Sequence, residues 1–250
     1  MCVNVIVLLT DFGESEYVGV MKGVILSIAP NEQIVDLTHE IPPQSVREGA
    51  WVLLKAFEYF PKNATFLCVV DPGVGSNRDA VFVKTKNYAF IGPDNGLMYP
   101  ACEKDGISKV TSIVVGEGSS RTFHGRDVFA KAAAYIALKQ NNRVLGESKS
   151  SPIEPLNFKQ AGRMGEIVRI DRFGNIITNI PPLETTKYQL VVDDDRWDIE
   201  LFPTYALGPD QGPFLVTSSY GTLEITIKNG SAKREIVLEV GAIISLEKDE

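Results

Sequence analysis

Histidine is almost missing from this sequence: 250 residues contain two, His39 and His124. Cysteine is nearly as scarce, with Cys2, Cys68 and Cys102 far apart and no CxxC pair. That shortage excludes a His- or Cys-rich metal site, and the odd count points to reduced thiols in a cytoplasmic protein. Long apolar runs are absent too. Val5 to Leu9 is broken at Thr10–Asp11, far short of the ~20 residues a membrane span needs. The basic flank and small-residue cleavage site of a signal peptide are lacking as well. There is no basic excess: 25 Lys and Arg against 32 Asp and Glu leave a net charge of −7. Nucleic acid is therefore an unsuitable partner, because affinity for phosphate backbones is carried by basic side chains. Three motifs are missing besides: GxGxxG, the P-loop ending in Lys-Ser/Thr, and the GxSxG elbow. Their absence argues against NAD, ATP and serine-hydrolase chemistry.

What is present falls into two halves of different period. In the first, Val3–Leu9, Gln33–Leu37, Thr65–Val70, Ala80–Thr85, Tyr88–Ile91 and Val110–Val115 read as strands. Between them, Val18, Met21, Val24, Ile25 and Ile28 recur at helical spacing up to Pro30. Val46, Ala50, Leu53, Leu54 and Phe57 do so up to Pro61, and Phe129, Ala132, Ala133 and Ile136 mark a closing helix. Strands alternating with helices predict an α/β domain with a Rossmann-like layered sheet over residues 1–145. A Gly-, Ser-, Pro- and charge-rich linker is expected over residues 146–163. Over residues 164–250 the helical period does not return. Gly165–Asp171, Lys187–Val192, Phe214–Thr217, Leu223–Lys228, Arg234–Val240 and Ala242–Glu247 read as short strands between turns. They predict a small all-β, barrel-like domain.

Polar residues collect at the strand ends, where ligands bind in open α/β sheets. Thr10–Asp11–Phe12–Gly13 ends the first strand, Asp71–Pro72–Gly73–Val74–Gly75–Ser76 the third, and Gly92–Pro93–Asp94–Asn95–Gly96 a later one. Each can equally be a helix cap or a turn. Together they point to a ligand crevice. His39, before Pro42–Pro43, reads as a structural hydrogen-bonding residue. His124 stands just before a helix, where a neutral imidazole can accept a proton or orient water. In the β half, Asp171 and Asn175 flank Arg172–Phe173–Gly174, and Ser218–Ser219–Tyr220–Gly221 follows a strand. Asp171 and Asn175 can simply form an Asx turn. Functionally, an Asn amide suits a purine edge and a carboxylate suits a ligand ammonium.

Seven motifs stand in order along nearly the whole chain. They are LLTDFG (Leu8–Gly13), DLTHEIPPQ (Asp36–Gln44), VVDPGVGS (Val69–Ser76), GPDNGL (Gly92–Leu97), FHGRDVFA (Phe123–Ala130), DRFGNIITNI (Asp171–Ile180) and SSYGTLEI (Ser218–Ile225). In these the chain resembles the S-adenosyl-L-methionine hydroxide adenosyltransferases, relatives of the fluorinase and chlorinase that use the same substrate. The resemblance implies cleavage of S-adenosylmethionine by water or hydroxide at the ribose C5′, giving adenosine and methionine, with no cofactor and no metal. It implies a homotrimer whose sites lie between the first domain of one subunit and the second domain of its neighbour. The family's Asp–Arg–His set falls on Asp71, Arg78 and His124, and its ribose-diol carboxylate on Asp11. Adenine and methionine contacts fall on Asp171, Asn175, Ser219 and Tyr220, with Tyr205 and the Gly230 backbone joining them. Asp71 and His124 are expected to orient and deprotonate the water while Arg78 keeps Asp71 ionised. Gly125 stands where the fluorinase has a halide-contacting serine, which favours hydroxide over halide. Three other functions fit less of the sequence: a non-catalytic adenosine or S-adenosylmethionine sensor, a halogenase, and a phosphatase-like hydrolase with Asp11 as nucleophile and a divalent cation.

Overall fold

Along the first strand, Val5, Val7 and Leu9 enter one hydrophobic cluster, while Ile6 and Leu8 enter another. A strand apolar at every position is what a sheet covered on both faces demands. This strand, β1 (Val5–Thr10), is an interior strand of the sheet in the first of two compact units, Met1–Leu156 and Asn157–Glu250. The computed structural model describes residues 5–150, 152–182 and 185–248; Cys2 and Val3 lie outside the described residues.

In the first unit β1 is followed by α1 (Glu16–Ile28), β2 (Gln33–Thr38), α2 (Val46–Ala56) and β3 (Thr65–Val69). After them come β4 (Ala80–Thr85), β5 (Ala89–Pro93), α3 (Tyr99–Asp105), β6 (Ile107–Ile113), α4 (Lys131–Ala137) and β7 (Leu145–Ser148). The sheet order is β2-β1-β3-β5-β4-β6-β7. β2, β1, β3 and β5 run parallel, whereas β4, β6 and β7 join through antiparallel pairs. The unit is thus mixed α/β. α2 and α3 cover one face through Val52, Leu53, Ala101 and Cys102; α1 and α4 cover the other through Val18, Met21, Ile25 and Ala132–Ala134. Burying a Leu, Ile or Phe side chain contributes about 1.5–3 kcal/mol, so these two layers hold the sheet.

The second unit is mostly β. Its strands are β8 (Met164–Ile170), β9 (Ile176–Thr178), β10 (Lys187–Val192), β11 (Asp195–Glu200), β12 (Phe214–Thr217), β13 (Leu223–Thr226) and β14 (Ile243–Lys248), with one short helix, α5 (Ala232–Glu235). They order as β11-β10-β14-β8-β9-β13-β12. A parallel bridge between Leu201 and Leu215, and a hydrogen bond from Phe202 N–H to Leu215 O (2.9 Å), tie the two end strands together. Ile167, Leu190, Leu215, Leu223, Ile225 and Leu246 fill the interior.

Several expectations are corrected. Leu145–Ser148, expected as the end of the α/β domain and the start of the linker, is β7, paired with β6. Arg234–Val240, expected as a strand, carries the end of α5 and then irregular chain. Its apolar residues Ile236 and Leu238 are buried without strand pairing. β11 was masked by its charge, since Asp195, Arg196, Asp198 and Glu200 alternate with Trp197 and Ile199 on a strand only partly buried. α3 begins with Pro100 in its first turn, a position where the missing N–H costs nothing.

Candidate active site

Thr10 is paired with Val69 across the parallel β1–β3 ladder, so the chains leave the sheet side by side. Asp11 follows Thr10 directly and Asp71 follows Val69 after one residue, and both line one cleft of about 390 Å³ with Phe12, Tyr17, Phe123 and His124. Asp11 accepts a hydrogen bond from the Gln44 N–H (2.8 Å), which fixes one carboxylate oxygen. Gln44 holds a left-handed φ of 65° just after Pro42–Pro43.

The Asp71 loop reaches the His124 segment through Gly75. Its φ is +78°, and a Cβ there would stand 2.4 Å from the Arg121 carbonyl oxygen, so only glycine permits the approach. Arg78 then grips Asp71 at both oxygens, with Nε donating to Oδ1 at 3.0 Å and Nη2 to Oδ2. The same Nη2 lies 2.8 Å from His124 Nδ1. The guanidinium stacks over the Phe129 ring, 5.2 Å from its centroid. Bidentate pairing of this kind is stronger and more directional than a single ion pair. His124 is 8% exposed. Burial and then the Arg78 charge push its pKa below 6.5, against opposing pulls from Asp71 and Asp127.

His124 caps a stretch of π-helix, Gly125–Ala130, that runs on into α4. Asp127, in its first turn, accepts the Ser120 N–H at 2.9 Å and both Nε and Nη2 of Arg126 at 2.7 Å. The Arg126 bond, outweighing burial, holds the Asp127 carboxyl down at about 2. Arg126 in turn covers the ring of Phe123, which packs edge-on against Phe12 and Tyr17.

The second unit carries a separate pocket of about 750 Å³, lined by Asp171, Phe173, Asn175, Tyr205, Thr226 and Gly230 among others. Asp171 closes a tight turn: Oδ1 accepts the N–H groups of Phe173 (2.8 Å) and Asn175 (2.9 Å), and Oδ2 accepts Asn175 Nδ2 (3.0 Å). Gly174, at φ +84°, makes the turn possible, since a Cβ there would lie 2.0 Å from Ser231 Oγ. Thr226 Oγ1 donates to Asn175 Oδ1 at 2.6 Å. With its carbonyl and one N–H engaged, the amide of Asn175 can present only one way round, leaving one acceptor lone pair and one N–H for a ligand.

Residues 6–146 match the family model of the SAM hydroxide adenosyltransferase N-terminal domain, and residues 165–245 match that of the C-terminal domain. The chain belongs to the SAM hydroxide adenosyltransferase family. It is similar to proteins named (R)-S-adenosyl-L-methionine hydrolase. The one from Thermus thermophilus is 35% identical over 95% of this chain and 97% of that protein. The one from Methanocaldococcus jannaschii is 43% identical over 73% of this chain and 69% of that protein. Fluorinases match at lower identity. Among solved structures, an uncharacterized conserved protein from Thermotoga maritima superposes with a TM-score of 0.87 at 32% identity, covering 96% of this chain and 99% of that one.

For this adenosyltransferase-family chain the ten expected site residues fall into three places. Asp11, Asp71 and His124 line the first cleft, with Arg78 behind them. Asp171, Asn175, Tyr205 and Gly230 line the second pocket. Ser219 and Tyr220 sit on the hairpin at the start of β13, whereas Asn175 and Thr226 sit at its end; four residues of strand, about 13 Å, separate the two ends. His39 accordingly serves the fold: Nδ1 lies 2.8 Å from Thr10 Oγ1 and Nε2 3.0 Å from Asp36 Oδ1. Asp94, expected at a third strand end of the crevice, is taken up by Lys149 (2.8 Å) and the Glu154 N–H (2.7 Å). Among the described residues no cluster of three or more His, Cys, Asp or Glu could hold a metal ion, and no helix is long and apolar enough to cross a membrane.

Sequence reasoning missed the aromatic wall of Phe12, Tyr17 and Phe123, although two of these lie inside quoted motifs. It also missed Thr226 and Glu224, which hold Asn175 and Tyr205 from behind. Their signal was the alternation Leu223–Glu224–Ile225–Thr226–Ile227–Lys228, a strand with one polar face.

Proposed function

We propose that the protein hydrolyses S-adenosyl-L-methionine at the ribose C5′ to adenosine and L-methionine. The observation that carries this reading is the continuous Asp71–Arg78–His124 bonding at the edge of the Asp11 cleft. A guanidinium can only donate, so His124 Nδ1 is the acceptor and the ring proton sits on Nε2. His124 thus offers a donor, and Asp71 keeps acceptor lone pairs beyond those Arg78 uses. A water held between them donates to Asp71 and accepts from His124 Nε2–H. This divides the work: Asp71 is the base and His124 the orienting group.

The C5′–O bond forms as the C5′–S bond breaks. The electron pair of that bond stays on sulfur, so methionine leaves as a neutral thioether and needs neither a general acid nor a Lewis acid. The water's proton passes to Asp71 and on to solvent. Holding water and substrate in line supplies about 7–11 kcal/mol of the barrier reduction. A carboxylate beside the nucleophile position repels halide, which favours hydrolysis over halogenation.

In this reading Asp11 holds the ribose diol and Asn175 the adenine edge. Asp171, with Ser219, Tyr220 and the Gly230 backbone, receives the rest of the substrate. The enzyme works as a homotrimer in the cytoplasm, each site drawing its two parts from neighbouring subunits, with no metal or other cofactor. The decisive experiment is mass spectrometry of products formed in ¹⁸O-labelled water, with and without chloride and with chelator. Labelled adenosine and methionine, unchanged by chelator, are expected. A chlorinated nucleoside, or no product with adenosine still bound, would overturn the hydrolase reading.

A further inference from the structure

Buried carboxylates that face no cation are expensive, and among the described residues none pairs with Glu224, which is 4% exposed in the middle of β13. Its neighbours Leu223 and Ile225 enter the hydrophobic interior of the unit, so Glu224 points to the opposite face of the strand. There its Oε1 accepts the hydroxyl of Tyr205. Thr226, two residues on, uses the same face to hold Asn175. Lys228, two further, continues the period beyond the strand and donates to Gly208 O (3.4 Å) and Asp210 Oδ1 (2.9 Å). Glu224, Thr226 and Lys228 therefore form a ladder whose rungs each fasten one element beside the 750 Å³ pocket.

The first rung has the weakest alternative. Tyr205 opens a single turn of 3-10 helix, Tyr205–Leu207, on the connection between β11 and β12. Its backbone bonds are local ones, Leu207 N–H to Thr204 O (3.2 Å) and Gly208 N–H to Tyr205 O (3.3 Å). Neither ties the ring to the sheet. Tyr205 is 49% exposed and lines the pocket while its hydroxyl is turned inward to Glu224.

We propose that Glu224 is a positioning residue of the nucleoside pocket: by capturing the Tyr205 hydroxyl it sets the ring so that its face, not its oxygen, meets the bound base. Burial pushes the Glu224 carboxyl up, and burial followed by the Glu224 bond pushes the Tyr205 phenol up, so the hydroxyl stays protonated to donate. The inference rests on the adenosine-forming reading above and adds how the pocket recognises the base: by a fixed flat surface beside the oriented Asn175 amide. A freely rotating ring would have to be ordered on binding, and that ordering weakens the complex.

The test is a double-mutant cycle on the full protein, with adenosine affinity measured by calorimetry and S-adenosylmethionine turnover alongside. Tyr205→Phe and Glu224→Ala are each expected to weaken adenosine roughly five- to ten-fold, the range for ordering one freed side chain on binding. KM should rise by a similar factor while kcat moves much less, and the double variant should be no weaker than Glu224→Ala alone. Glu224→Gln, whose amide oxygen still accepts the hydroxyl, should restore most of the loss. Losses that multiply in the double variant, or a Tyr205→Phe that binds as wild type does, overturn the proposal while leaving the hydrolase reading intact. A wild-type protein that neither binds adenosine nor cleaves S-adenosylmethionine overturns both. If Glu224→Ala fails to fold, Tyr205→Phe and Glu224→Gln decide alone, since neither opens a cavity.

Discussion

Arg78 Nη2 stands 2.8 Å from His124 Nδ1, and the contact has only one polarity: arginine donates, histidine accepts. The imidazole must therefore be neutral for the contact to exist. Protonation would set two cations against each other inside a site where both side chains are largely shielded from water.

That gives a pH dependence with a definite sign. The His124 pKa in the folded protein lies below its ordinary 6.5. As pH falls through 6.5 the unfolded chain takes up a proton before the folded one does, so stability declines. The loss is complete once pH is below the folded value. Denaturant melts between pH 7.5 and 5 should show this decline, smaller in His124→Asn. Turnover should carry an acid limb with its midpoint below 6.5; a limb centred above 6.5 contradicts the arrangement.

Arg78→Lys keeps the charge and loses the fork. A lysine ammonium cannot reach both Asp71 oxygens and His124 Nδ1 in one plane. We expect kcat to fall by about 10²–10⁴, the span of a lost acid–base contribution, with adenosine affinity changed little because Asn175 and Asp171 are untouched. Steady-state kinetics beside calorimetry separates the two effects.

Gly174→Ala should damage the second pocket alone. The residue is at φ +84° and its new methyl would meet Ser231. Left-handed strain and overpacking each cost about 1–3 kcal/mol. A lower Tm and weaker adenosine binding are expected, and Ser231→Gly in the same chain should recover the steric part but not the backbone part.

Lys149 is a stabiliser remote from the chemistry. Burial alone would lower its pKa, but bonds to Asp79 (2.6 Å) and Asp94 (2.8 Å) outweigh it and leave the ammonium strongly held. Lys149→Met removes a charged hydrogen bond to the buried Asp94, of a kind usually worth about 1.5–3 kcal/mol, and a pair to the exposed Asp79 that solvent screening holds to about 0–1 kcal/mol. Thermal unfolding should drop accordingly, with kcat of the folded fraction unchanged. A fall in kcat at full stability would place the Asp94 loop in the catalytic machinery after all.

The apolar β1 and β3 runs and the helical stripes of α1 and α2 were legible because both faces of the sheet are covered, so every residue of a strand had to be apolar. Charged strands were not: β11 is hydrated on one side, and its carboxylates look like a turn. The polar residues of the first cleft were legible for a similar reason, since Asp11 and Asp71 end adjacent parallel strands and must emerge together. Asp94 has the same local pattern, but Lys149, 55 residues away, claims it. Glu224 and Thr226 could not be separated from an ordinary solvated strand face, because burial of that face depends on a loop whose sequence has no period.

The winding of residues Gly125–Ala130 has a further consequence. A π-turn holds one residue more than the α-turn it replaces. Removing one residue from this stretch would rewind it as α-helix with the segment before it still in register, whereas removing one from the regular turns of α4 would swing that segment by about 100°. Only in the second case would His124 face away from Arg78, although the site side chains were all still present and in order. The water-orienting group is thus set by a count of residues as much as by their kinds: a one-residue deletion in α4 should silence the enzyme, and one within the π-turn should be far better tolerated.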